Sequence, residues 1–500
     1  MGRTDTSNGE TGYGGLAGSQ ALRRLFGHVT LYGMGNLLQR ASGILLLPAY
    51  VSQLSPEEFG ALALISLLPF ILPAVLSLGL PHAIMRYYHE WNRAGDAAAG
   101  LTAVWIVCVG SLLGGTFLLD QFGRSLVQPV ISSVPFDPDL RLGLWWAFWS
   151  GAGLCPLFLL RVLERSRLLL VVSLATAAFT VGFTLVAIYG GWGVRGIVGV
   201  QLVGSALVAC GTTIWLVSNM AWPPRWGRLS QALRFGLPLV PSAVLEAAAN
   251  RADRFFLDKW ALLHDIGLYS MANQIGQAVK LFYDAVKPAW FPFYIRVAGE
   301  RADARRLLGG AAVLYVAALT VTALAVLLLA VPILTWFGFE SRYAEATPLI
   351  PIFVLGYYLF GFAPLGTAAV QVGEKTMWQP FLQFIHVTIV IAANMVLTRL
   401  YGAWGAAWAL TICYGALAAL YVWAGHQAYA ISMQWVRMAG IVAAGTFVAL
   451  GGLWWPQERV IEKSIVLVLF ALLCLQLLRI DDGPLSEVFS RRGHARLPKA

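Results

Sequence analysis

Residues 307–331 read LLGGAAVLYVAALTVTALAVLLLAV, an uninterrupted apolar run with Arg305 and Arg306 immediately before it. A helix needs about 20 such residues to cross a hydrocarbon core about 30 Å thick, so this run is a membrane span with a charged collar. Runs of the same kind recur along the chain and predict about 14 transmembrane helices, near 28–50, 58–80, 99–120, 139–160, 168–189, 194–217, 232–256, 264–293, 307–331, 347–371, 379–399, 404–427, 438–455 and 464–479. The 500-residue chain is 58% hydrophobic and 12% charged, where soluble domains carry roughly 25% charged residues. It lacks the charge to coat soluble domains, and the loops leave no room for a folded extramembrane one. The 51 Gly and 23 Pro follow no period, which excludes a collagen-like chain. Cys108, Cys155, Cys210, Cys413 and Cys474 sit in apolar runs without metal or redox spacing and read as small hydrophobes.

Lys and Arg set the expected orientation. With the N-terminus cytoplasmic, 22 of the 35 cationic residues fall in cytoplasmic segments, ten in outer ones and three inside spans. An even number of helices with both termini inside satisfies this bias. The net charge of +10 is then dispersed over many loops, so no nucleic-acid partner is implied. The predicted organisation is a disordered cytoplasmic tail (1–27), an N-lobe of six helices (28–217), a cytoplasmic linker (218–231), a C-lobe of six helices (232–427), an extra helix pair (438–479) and a basic cytoplasmic tail (480–500). A shift of 207 residues superposes Gly60 on Gly267, Pro81 on Pro288, Tyr87 on Tyr294 and Asp96 on Asp303, and lays 56–60 (PEEFG) over 263–267 (LHDIG). The identities are sparse. They suggest a parallel repeat about an axis along the membrane normal, two six-helix lobes around a central cavity.

The informative residues are polar ones inside spans, where a mid-bilayer charge costs roughly 2.5–3.5 kcal/mol and therefore faces a partner or water. In the first span Tyr32, Asn36, Gln39, Arg40 and Gly43 share one helical face; Arg40 either packs against a neighbouring helix or faces a cavity. In the eighth, Gln274, Gln277, Lys280, Asp284 and Lys287 form a polar stripe. Asp284 is placed to pair with either lysine, but one carboxylate leaves two ammonium groups with a net positive charge, which favours an aqueous, electropositive lining. In the seventh span Glu246 and Asn250 are one turn apart and deep, whereas Arg251, Arg254 and Asp258 lie near the outer end, where snorkelling or interfacial pairing accounts for them. His386 and Asn394 are similarly deep in the eleventh. Together Glu246, Asn250, His386 and Asn394 either hold a proton or a hard cation such as Na⁺, or are satisfied buried polar groups. Pro48, Pro69, Pro73, Pro238, Pro241 and Pro364 interrupt spans and suggest hinges. Hydrolase, P-loop and zincin signatures are absent, so no enzymatic activity and no cofactor are expected, and active transport would draw on an ion gradient such as H⁺ or Na⁺, or on a substrate gradient, instead of ATP bound by this chain.

Two stretches resemble a known family. One is Tyr32-Gly33, then Leu46-Leu47-Pro48-Ala49-Tyr50, Leu54-Ser55-Pro56-Glu57-Glu58-Phe59-Gly60, Leu78-Gly79-Leu80 and Arg86-Tyr87-Tyr88. The other is Phe235-Gly236-Leu237-Pro238, Ala252-Asp253-Arg254-Phe255-Phe256, Asp265-Ile266-Gly267-Leu268-Tyr269-Ser270 and Ala289-Trp290-Phe291-Pro292. They are similar to the polysaccharide repeat-unit (Wzx-type) flippases of the multidrug/oligosaccharidyl-lipid/polysaccharide (MOP) exporter superfamily. The resemblance implies an all-α, V-shaped pair of six-helix lobes in the bacterial inner membrane. It implies alternating-access transfer of undecaprenyl-diphosphate-linked oligosaccharide to the outer leaflet, alongside membrane lipids, a polysaccharide polymerase and glycosyltransferases as partners. Arg40 and the Lys280/Lys287 stripe match the family's electropositive cavity, and Glu246, Asn250, His386 and Asn394 its cation site. Trp290, Tyr283, Trp378 and Trp404 are candidate sugar-stacking rings. The rival readings are a cation-coupled multidrug exporter, a lipid II flippase and, in a different class, a membrane glycosyltransferase or polymerase.

Overall fold

The computed structural model describes residues 42–300, 303–375, 377–456 and 459–479. All regular structure among these residues is helical, and nine helices among them are long and apolar enough to cross a membrane. One of the nine, 378–428, has 51 residues. At 1.5 Å per residue it is more than twice the bilayer core in length, and it turns at Gly402, whose φ of 55° is left-handed. The sequence divides the same stretch at 399–404. The helices Leu239–Trp260 and Leu263–Glu300 are not among the nine, because polar and charged residues interrupt both. Side chains such as Ile214, Phe447 and Trp454 are 75%, 80% and 88% exposed. Apolar exposure on this scale requires lipid and not water around the helices, so the protein is a multi-pass membrane protein.

The first 41 residues lie outside the described part, as do 480–500. Asn36, Gln39 and Arg40, with the two predicted tails, therefore receive no structural account.

Short helices with prolines at their joints build the face that meets the second half. Ser55 starts the helix Pro56–Ile65 with a capping box: its hydroxyl accepts the Glu58 amide at 3.2 Å while the Glu58 carboxylate accepts the Ser55 amide at 2.9 Å. That helix stops at Ile65 and a second, Leu68–Leu76, begins with Pro69 in its first turn. Proline has no amide hydrogen to continue the ladder. Pro364 stands likewise just beyond the break between Ile350–Phe360 and Ala363–Val372.

This broken pair touches the second half at both ends. At one end Gly60 packs on Gly267: a Cβ on Gly267 would lie 1.7 Å from the Pro56 carbonyl oxygen, and one on Gly60 would lie 2.4 Å from that of Leu263. Only glycine lets the two backbones approach this closely. At the other end Gly79, with φ +67°, abuts Gly236, where a Cβ would come within 2.5 Å of the Leu78 oxygen. Between these crossings one continuous core runs across the interface, with Leu64 and Ile65 from the first half and Ile266, Met271 and Ile275 from the second.

Polar ties hold the connecting segments outside the bilayer. Asp258 accepts the backbone amides of Ser132 at 2.6 Å and Ser133 at 3.0 Å, pinning the 127–135 loop to the end of Leu239–Trp260. At the opposite face the helix Trp226–Gly236 docks through Arg228, which bonds Asp96 at 2.8 Å, and through Gln231, which accepts from Trp91 at 2.9 Å. Arg228, with Arg225 beside it, holds the Asp96 carboxyl below its ordinary range.

Candidate functional site: an intramembrane cavity between the halves

A cavity of about 570 Å³ opens where Leu239–Trp260 and Leu263–Glu300 face the first half. The Leu263–Glu300 helix projects Asn273, Gln274, Gln277, Lys280, Asp284 and Lys287 into it; their spacings of one, three, three, four and three keep them on one helical face. Leu239–Trp260 supplies Glu246, Asn250, Arg251 and Asp253, the first half supplies Ile44 and Phe70, and Tyr357, Phe360 and Tyr414 close the far wall. Most of the lining surface is polar. Gly43 fits this arrangement, since a Cβ there would lie 2.8 Å from Gln274 Nε2; the first span thus meets the stripe at the last position of its own polar face.

Each of the three cations sits over an aromatic ring. The Arg251 guanidinium is 5.0 Å from the centre of Phe70, Lys280 Nζ is 5.4 Å from Phe360 and Lys287 Nζ is 5.7 Å from Tyr283. Cation–π contacts of this kind stabilise a desolvated charge by about 0.5–2 kcal/mol. The rings support one another: Tyr283 meets Phe360 edge-on at 5.4 Å, and Phe360 lies 4.9 Å from Tyr414. Behind this layer Asp253 accepts the Tyr269 hydroxyl at 2.5 Å and Asn273 accepts that of Tyr357 at 2.7 Å. These buried bonds fix how the cavity wall stands.

The sequence places Arg251, Arg254 and Asp258 together near a membrane surface. The structure separates them. Asp258 is the interfacial anchor described above, Arg251 lines the cavity, and Arg254 is 5% exposed with its Nε unpartnered. Rotation does not separate Asp258 from Arg251, since residues seven apart share a face; depth does, because Asp258 lies about two turns further along, at the helix end. With Arg251, Asp253 and Glu246 included, the described lining holds three cations (Arg251, Lys280, Lys287) and three carboxylates (Glu246, Asp253, Asp284). The net positive charge expected from the stripe alone is balanced by the neighbouring helix.

Seven of the predicted site residues thus converge: Glu246, Asn250, Gln274, Gln277, Lys280, Asp284 and Lys287. His386 and Asn394 are elsewhere, inside the second half at 4% and 2% exposure. The Asn394 amide donates to the Val390 carbonyl and its oxygen accepts from Thr398, while His386 lies parallel to Tyr414 at 6.4 Å with Nδ1 unpartnered. Tyr414 is the only ring between His386 and the cavity that contacts both among the described residues. No three His, Cys, Asp or Glu side chains among the described residues converge as metal ligands. Of the candidate stacking rings, Tyr283 lines the cavity. Trp290 is in the core against Tyr294 and Tyr315, Trp378 stacks on Trp423, and Trp404 is 47% exposed.

Comparisons with known proteins agree with this architecture. The inward closed conformation of the lipid II flippase MurJ superposes with a TM-score of 0.73 at 13% identity, over 90% of this chain and 99% of that one. A multidrug resistance MATE family transporter of the MOP superfamily matches in its inward-facing conformation at 0.59 (16% identity, 82% and 95% covered) and in its outward-facing one at 0.53 (15%, 83% and 96%). The fold is therefore that of the MOP-superfamily membrane transporters. A sequence profile described as "Polysaccharide biosynthesis protein" matches residues 53–348, more than half of the chain, and the protein belongs to that family. No curated protein matches in sequence.

Proposed function

We propose that the protein is a flippase that moves undecaprenyl-diphosphate-linked oligosaccharide repeat units across the bacterial inner membrane for exopolysaccharide, capsule or O-antigen synthesis. It works by alternating access with both termini cytoplasmic and carries no enzymatic activity. The observation that carries the reading is the cavity lining: three ring-supported cations beside four carboxamides, Asn250, Asn273, Gln274 and Gln277. Diphosphate oxygens take charge-assisted bonds from Arg and Lys, and carboxamides match sugar hydroxyls because each both donates and accepts. Arg251, Lys280 and Lys287 hold the diphosphate; Gln274, Gln277 and Asp284 face the sugars. Arg40, with Asn36 and Gln39, completes the site from the first span, whose polar face continues to Gly43.

Glu246 with Asn250 in the cavity, and His386 with Asn394 inside the second half, are the candidates for coupling to H⁺ or Na⁺. A polysaccharide polymerase and glycosyltransferases are the expected partners before and after transfer. One observation favours a second reading. The three carboxylates suit a cation-coupled multidrug exporter, although drug sites are predominantly apolar and this lining is not.

Complementation separates the two. In a strain lacking this protein, Arg251→Ala and Lys280→Ala lower polymer export by about tenfold or more, the loss of one charge-assisted bond of about 1.5–3 kcal/mol, at unchanged membrane abundance. Wild-type polymer with altered drug susceptibility would replace the flippase reading by the exporter one.

A further inference from the structure

A second cavity lies in the first half and shares no residue with the site above. It is a groove of about 280 Å³ between the antiparallel helices Ser166–Tyr189 and Gly193–Val217, lined by Leu168, Ala175 and Phe179 on one side and Gly204, Gly211 and Trp215 on the other. Its surface is almost wholly apolar. The two hydroxyls that border it are turned back into their own helices, Thr176 onto the Val172 carbonyl at 2.7 Å and Thr212 onto that of Val208 at 2.6 Å. Small residues open it, and a Cβ on Gly211 would meet nothing within 4 Å. Val171, Phe183, Leu207 and Ile214 beside it are each more than half exposed, so the groove opens to the bilayer.

Inside a bilayer, burying an alkyl chain in an apolar groove gains packing but no hydrophobic free energy. Selectivity must come from the end of the groove. There Arg165 stands at the N-cap of Ser166–Tyr189, three residues before the lining Leu168, with Arg167 in the first turn, and both are exposed. We propose that this groove is a binding site for an anionic phospholipid of the surrounding leaflet, one acyl chain lying along Leu168, Ala175 and Phe179 and the phosphate engaged by Arg165 and Arg167. Cationic pockets between transmembrane helices select anionic headgroups by this charge complementarity. The volume suits part of one acyl chain.

The test is lipid retention by the purified full chain, read by native mass spectrometry after exchange into mixed vesicles of phosphatidylglycerol and phosphatidylcholine. The wild type retains phosphatidylglycerol preferentially, and Gly211→Phe, which fills the open space, abolishes that retention. Arg165→Gln and Arg167→Gln each lower the preference by about fivefold. Gly110→Phe, on the helix Ala97–Leu126 and also with nothing within 4 Å of its Cβ, leaves it intact. Equal retention of the two lipids, or equal loss in Gly110→Phe and Gly211→Phe, overturns the proposal. So does displacement of phosphatidylglycerol by undecaprenyl phosphate at equimolar concentration, which assigns the groove to the isoprenoid instead. If Gly211→Phe does not yield folded protein, the two arginine variants decide the matter.

Discussion

Glu57 and His264 stand 207 positions apart in the chain and 2.7 Å apart in space, Oε1 to Nδ1. The internal shift that aligns Gly60 with Gly267 aligns these two as well. Residues related by a two-fold axis touch each other only where they lie on it, and the Gly60–Gly267 crossing lies one turn along the same helices. The sparse sequence repeat and the contact between repeat-related residues are independent signs of one pseudo-symmetry. Glu345 adds a second carboxylate 3.5 Å from His264 Nε2.

This clasp is pH-sensitive. Glu57, and then Glu345, raise the His264 pKa above its ordinary value, and Glu57 is lowered by its own backbone amide and by His264. For a group whose folded pKa is raised, the stabilisation is fully present below the unfolded value, about 6.5 for histidine, and is lost as pH rises through the raised one. Hydrogen exchange in the first turn of Leu263–Glu300, corrected for intrinsic rate, should accelerate a few-fold between pH 6 and pH 8, a small effect because the pair is partly exposed. His264→Gln should flatten that profile. A pH-independent wild type would remove the role.

Close approach at the glycine crossing makes an opposite pair of predictions. Gly267→Ala puts a methyl group into the Pro56 carbonyl and should destabilise the protein by about 1–3 kcal/mol. Gly110→Ala, in an open helical position, should be neutral or stabilising by up to about 1 kcal/mol. Thermal unfolding in one detergent compares them, and equal transitions would show that the crossing relaxes freely.

Tyr269→Phe removes the hydroxyl that Asp253 accepts at 2.5 Å and leaves a buried carboxylate short of a donor. The expected cost is about 1–3 kcal/mol. Asp253→Asn in the same background should recover part of it, because the neutral amide tolerates burial better. Additive losses in the double variant would argue that the two groups act separately.

Coupling has its own readout. Glu246→Gln or His386→Ala should change the pH or Na⁺ dependence of transport in vesicles. If only Glu246→Gln does so, coupling resides in the cavity; if neither does, these residues carry no coupling role.

Much of the site was legible because the eighth span carries polar residues at helical spacing through an apolar segment, and periodicity alone puts Gln274, Gln277, Lys280, Asp284 and Lys287 on one face. Glu246 and Asn250 were legible for the same reason. Arg251 and Asp253 were not. Distance from the helix end suggested an interfacial position for Arg251, whereas the orientation of its helix against Phe70 decides where it points, and that is set by packing between elements far apart in sequence. His386 and Asn394 share a face, as their spacing implies, but the face is turned into the second half.

Hydropathy and charge by themselves determined that the chain is a helical, multi-pass membrane protein with a polar stripe in its eighth span, because each span must satisfy its own backbone hydrogen bonds and hide or justify each charge locally. Only the tertiary structure decided what that stripe faces. The cavity's balance of three cations and three carboxylates comes from two consecutive helices of the second half, and backbone contacts at Gly60–Gly267 and Gly79–Gly236 hold the first half against the second to close the cavity. Such contacts depend on the absence of side chains, and no composition or periodicity reports where two glycines will meet.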